Sequence, residues 1–260
     1  MKAIQIIDKL VDFVFGLFLL LCVLYSVYSI WDNNQVFSAV DDIQSDMLRI
    51  KPSVSTSDPV VNSFGTGTSG NDFSQLQEIN PDLCAWLTLD GTAIDFPVVQ
   101  GNDNEEYLNK DVYGNFATAG SVFLDYRCNN TFDPKYGLIY AHHMGKGKMF
   151  GDLDKYHDAE FFRENTTGKL ITPNESYDIV TLAVLTTNAS DEVIYQPQDY
   201  AASADGLVQY VKENAENIND AALMAYEQAP QDYTVLSLTT CAYNYTNART
   251  VVVSLLSKCA

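Results

Sequence analysis

No charged residue interrupts the stretch from Phe13 to Trp31, FVFGLFLLLCVLYSVYSIW, and that feature divides the chain before any other does. A helix crossing the hydrocarbon of a bilayer needs about 20 consecutive apolar residues, which this run supplies. A cleaved signal peptide has a shorter apolar region, about 7 to 15 residues, and ends at a small-x-small site that is not evident here. Lys2 and Lys9 precede the run alongside Asp8 and Asp12, whereas Asp32, Asp41, Asp42 and Asp46 follow it. Positive charge on the amino-terminal side favours a single-pass anchor with a cytoplasmic amino terminus and the rest of the chain on the extracytoplasmic face of the cell membrane. Residues 1–32 are therefore expected to be a stub and transmembrane anchor, 33–72 a juxtamembrane helix and linker, and 73–260 the folded domain.

Within 33–72, Val36, Val40, Ile43, Met47 and Ile50 recur at spacings of four and three, the stripe of a helix that docks one face. The stretch from 52 to 72 is rich in Ser, Thr, Gly and Pro without a sustained period and reads as a linker. Beyond it, eight runs rich in β-branched and aromatic residues are bounded by Gly, Asn, Asp or Pro, at about 85–89, 93–99, 120–125, 137–141, 169–173, 176–186, 233–240 and 250–257. Between the sixth and seventh lies an insertion, about 198–227, in which Leu207, Val208, Val211 and Ala215 mark a helical face. Eight strands with few helices predict a mainly β fold that closes into a barrel, which removes exposed sheet edges.

The formal charge of −19 disfavours a nucleic-acid partner, because phosphate backbones are bound by clustered Lys and Arg. Cysteines at 22, 84, 128, 241 and 259 include no C-x-x-C pair and no metal-ligand spacing, so no metal and no cofactor is expected. Cys22 in the apolar span and Cys84 within LCAWL read as packing residues. A disulfide among Cys84, Cys128 and Cys259 stays open at this point.

Cys241 differs from the others: it closes the strand YTVLSLTTC and is followed by the turn-like AYNYTNART. A thiol at a strand end is displayed at a rim. The segment GLIYAHHMGKGKMF places His142 and His143 just after another strand, and an imidazole beside a thiol can take its proton and later protonate a leaving amine. Successive side chains of an extended segment alternate faces, so only one of the two histidines can point into a site. Arg249 opens the strand TVVVSLL eight residues after Cys241. If those strands form an antiparallel hairpin, the two residues face each other, and a guanidinium there can stabilise an oxyanion.

Over essentially its whole length the folded domain resembles the class B sortases. Their nucleophile motif, TLxTC with an Arg shortly downstream, is matched by SLTTC at 237–241 and Arg249, and their histidine motif by YAHHM at 140–144. Ser237 stands where Thr is usual and Ala141 where Gly commonly precedes the histidine. Upstream, the order of an NPD–W entry, a DFPVVQ strand, a DN–YLN helix and an AGS–FLD strand is also matched. The resemblance implies an eight-stranded sortase barrel with an N-terminal helical appendage and a helix-containing segment between strands six and seven. It implies a cysteine transpeptidase with Cys241 as nucleophile, His142 as acid/base and Arg249 as oxyanion stabiliser. Asn104, Leu108, Tyr140, Thr239 and Tyr195 fall at substrate-contacting positions. The implied partners are surface proteins carrying a C-terminal sorting signal and an amine acceptor from a cell-wall precursor or a pilin. Two rival readings are a cysteine hydrolase on the same scaffold and a non-catalytic, membrane-tethered binding barrel. The sequon Asn244-Tyr245-Thr246 argues against eukaryotic secretion, since a glycan there would obstruct Cys241.

Overall fold

The structure, a computed structural model, describes residues 2–52, 72–133, 135–241 and 247–259, with the backbone alone described for residues 2–4 and Cys241. Most of the expected linker, together with the sequon, lies outside these residues. Residues 1–42 and 43–260 form two compact units.

The first unit consists of most of helix α1 (Lys2–Leu48), whose apolar residues from Ile6 to Trp31 all face outward. Among the described residues this is the one helix long and apolar enough to cross a membrane.

The second unit takes in the end of α1. There Met47 is buried, and Ile43 and Ile50 pack with it against Phe73, Leu76, Leu83, Trp86 and Tyr107. Leu76 comes from the short α2 (Ser74–Ile79). Lys51 reinforces this corner, with its ammonium 2.7 Å from Asp95 and donating to the Thr88 hydroxyl at 2.9 Å. The three-residue part of the expected stripe that belongs to this unit thus docks as the spacing predicts.

The strands follow as β1 (Leu83–Leu89), β2 (Asp95–Val99), β3 (Val122–Leu124) and β4 (Tyr136–Tyr140). After helix α3 (Ala159–Glu164), capped by the Asp158 carboxylate, come β5 (Thr167–Ile171) and the long β6 (Ser176–Asn188). The insertion then carries α4 (Asp205–Asn214), β7 (Asn217–Ile218) and α5 (Asp220–Gln228) before β8 (Thr234–Cys241) and β9 (Ala248–Lys258). Hydrogen bonding runs β5-β1-β2-β3-β4-β8-β9-β6, and β6 pairs back onto β5, so eight strands close the barrel while two-residue β7 adds to β6 from the insertion. Closure buries both faces of the inner strands, which is why β9 reads as an almost unbroken apolar run instead of an alternating one.

The insertion is richer than its sequence pattern suggests. Leu207, Val208 and Val211 are buried on α4 as expected, but Ala215 follows the last helical residue in extended conformation and so lies off that face. Helix α5, with Asn219 capping it and Ala222, Leu223 and Tyr226 buried, is an addition to the expected elements. Its small and mixed residues make a weak stripe.

Deleting residues 1–31 should leave a soluble, folded and active protein, whereas a deletion through Lys51 should lower stability sharply, because loss of a buried Met alone costs about 2–5 kcal/mol. Thermal unfolding of the two truncations checks this; equal melting temperatures would contradict it.

Candidate active site

One rim of the barrel collects the candidate residues, and strand direction is the reason. β4 and β8 are parallel, with Tyr140 opposite Thr239, so their carboxyl ends emerge together. β9 runs antiparallel to β8, so its start returns to the same rim, and Cys241 pairs in register with Arg249. β6 is antiparallel to β9 and ends there too, with Asn188 opposite Ala248.

At this rim a groove of about 360 Å³ is lined by Asn104, Leu108, Tyr140, His142, Tyr195, Thr239 and Arg249, together with Phe123, Arg127, Ala141, Ala189 and Thr240. Every candidate site residue read from the sequence therefore meets in one place, apart from Cys241, whose side chain lies outside the described residues. His142 lies two residues beyond the end of β4. Its carbonyl accepts from the Phe150 amide at 3.1 Å, and His143 bridges to Met149, so the loop folds back on itself. The neighbouring His143 turns elsewhere, with Nε2 2.7 Å from the Asp154 carboxylate and its side chain only 9% exposed.

The groove wall is aromatic. Tyr140 stacks between Phe123, with ring centroids 5.3 Å apart, and Tyr195 at 6.3 Å. Tyr195 and Thr239 hydroxyls lie 3.0 Å apart. Under this wall sits Asp125, a carboxylate with no exposed surface. It accepts from the Asn104 amide at 2.9 Å, the Tyr140 hydroxyl at 3.0 Å, and the Arg127 amide, Nε and Nη2 at 2.9, 2.9 and 2.7 Å. Arg127 in turn reaches the Tyr195 carbonyl and the Gln196 side chain. Burial pushes the Asp125 carboxyl up, but the bonds from Arg127 and Asn104 outweigh it and hold the group below the usual carboxylate range. Motif reasoning assigns no role to Asp125 and Arg127 within FLDYR; an acid and a base two apart at a strand end are the one local signal of their pairing.

Two of the other thiols, Cys84 and Cys128, are buried and poor nucleophiles. Cys22, Cys84, Cys128 and Cys259 are free. Burial pushes the Cys84 and Cys128 thiols up to about 12, so neither forms a thiolate at neutral pH.

Asp125→Ala should cost about 3–5 kcal/mol, since it leaves Arg127 partly buried without its counter-charge. Because the folded carboxyl titrates below its unfolded value, this contribution is present at neutral pH and lost only as pH falls through the folded pKa, below the usual carboxylate range. Denaturant titrations of both proteins at pH 7 and at pH 3 check this: the difference should shrink at the lower pH.

No family model matches the chain. It is 30% identical over 175 residues to sortase B of Listeria monocytogenes, covering 67% of this chain and 69% of that protein. Among solved structures, a Streptococcus pyogenes class B sortase involved in pilus biogenesis superposes with a TM-score of 0.64 at 34% identity, covering 72% of this chain and 98% of that one. A Staphylococcus aureus sortase B–substrate complex gives 0.63 at 26% identity, covering 72% and 85%. A closed eight-stranded barrel, a helix-bearing insertion before the penultimate strand and these relatives converge: the chain belongs to the sortase B family and is a cysteine transpeptidase.

Proposed function

We propose that Cys241 is the nucleophile, His142 its acid/base partner and Arg249 the oxyanion stabiliser of a membrane-anchored transpeptidase that acts on the extracytoplasmic face of the cell membrane. The observation that carries this reading is the shared rim: His142 and Arg249 open onto one groove, and Arg249 stands in register with Cys241.

The Cys241 thiolate attacks a threonine carbonyl in the C-terminal sorting motif of a surface protein. Arg249 faces the oxyanion that forms, and its planar fork stays charged throughout. Collapse breaks the C–N bond, and His142 gives its proton to the departing amine. An incoming amine then attacks the thioester and passes its proton to His142, and C–S cleavage returns the thiolate. Asn104, Leu108, Tyr140, Thr239 and Tyr195 hold the sorting peptide along the groove, whose apolar wall suits an extended segment. The substrate complex of the Staphylococcus aureus relative supports a peptide here, and the pilus role of the Streptococcus pyogenes relative supports a pilin amine as one acceptor beside cell-wall precursors.

Mass spectrometry of the full chain in detergent, incubated with a panel of sorting-signal peptides, should show an acyl adduct on Cys241. The adduct should be absent in Cys241→Ala. Added amine should divert it into an amide product; release to water regardless of amine would instead identify a hydrolase. Arg249→Ala should slow turnover about 10²–10³-fold with the fold intact, and Arg249→Lys should rescue poorly. His142→Ala should eliminate transfer, whereas His143→Ala should keep measurable turnover; the reverse order would overturn the assignment.

A further inference from the structure

His143 and Thr250 each follow a groove residue, His142 and Arg249, and both send their side chains to the same carboxylate. Oδ2 of Asp154 lies 2.7 Å from Nε2 of His143, and Oδ1 accepts from the Thr250 hydroxyl at 2.8 Å. Asp154 sits in the tight 3-10 segment Gly151–His157, which packs against β9. We infer that Asp154 is a positioning residue: one carboxylate holds the loop carrying His142 and the strand start carrying Arg249 at a fixed separation. The inference rests on His142 and Arg249 being the working groups.

Three further observations fit a rigid clamp. Thr250 is 1% exposed and pairs in register with Thr240, the residue before Cys241, so the held strand position is also the nucleophile's neighbour across the ladder. Nε2 of His157 lies 3.2 Å from the Thr250 hydroxyl, and the other nitrogen of that ring lies 2.8 Å from Glu216, between α4 and β7 in the insertion. A chain of side chains thus runs from the insertion to the catalytic loop. Burial pushes the Asp154 carboxyl up, but the bonds from His143 and Thr250 outweigh it and keep it below the ordinary value, so at neutral pH both oxygens are acceptors.

An amide at this position keeps one acceptor oxygen for Thr250 and can meet Nε2 of His143 only as a neutral N–H donor, so the charge-assisted bond to the imidazole is lost. In Asp154→Asn, kcat for the quenched peptide that gives the strongest Cys241 adduct should fall on the order of 10- to 100-fold, the range expected when reacting groups shift by a fraction of an ångström to an ångström, with KM nearly unchanged. Thr250→Val should do the same, and Thr250→Ser, which keeps the hydroxyl, should restore turnover. Full-rate Asp154→Asn, a change confined to KM, or a Thr250→Ser as slow as Thr250→Val would each overturn the clamp. So would a melting temperature that falls in step with kcat in Asp154→Asn and Thr250→Val alike, since that assigns the carboxylate to folding. His142→Ala and Arg249→Ala run beside them: normal turnover in either defeats the site assignment itself, whereas their inactivity with a full-rate Asp154→Asn defeats only the clamp.

Discussion

The parallel pairing of β4 with β8 is the constraint on which the site depends. Antiparallel neighbours send consecutive ends to opposite rims, so a histidine closing one strand and a cysteine closing the next would be separated by the full barrel height. Here two strands that are nearly a hundred residues apart in the chain run the same way, and the antiparallel return of β9 brings Arg249 to the same edge. Each residue proposed to be catalytic is brought to this rim by strand direction, His142 from the loop that leaves β4 and Cys241 and Arg249 from the strands themselves.

Two carboxylates then stiffen what the strands deliver. Asp125 lies below the groove and joins three of its lining residues, Asn104, Tyr140 and Arg127, through five hydrogen bonds. Asp154 lies behind the groove and holds His143 and Thr250, each the chain neighbour of a lining residue. Where such a network is buried, as at Asp125, each unsatisfied member would be costly, so it specifies one geometry.

Much of this architecture is legible in the amino-acid sequence. The eight barrel strands announce themselves through Val, Ile, Leu and aromatic runs between turn residues, and the SLTTC and YAHHM motifs mark the rim because the first closes a strand and the second leaves one. What stays hidden depends on tertiary meetings. Nothing local separates the buried Asp125 of FLDYR from an ordinary turn aspartate, and no spacing rule links His143, Asp154 and Thr250, which converge only after closure. Helix α5 escapes notice because its Ala-rich segment has too little contrast between its faces, and β7 because two residues make no period.

The cluster that buries Met47 also includes Leu108 and Tyr140 at its edge. The end of α1 and the groove wall proposed to hold the peptide are thus one piece of packing. On the proposed roles, specificity in such a chain is not a detachable cassette: a groove redrawn at Leu108 or Tyr140 for a new peptide disturbs packing that continues to the end of α1.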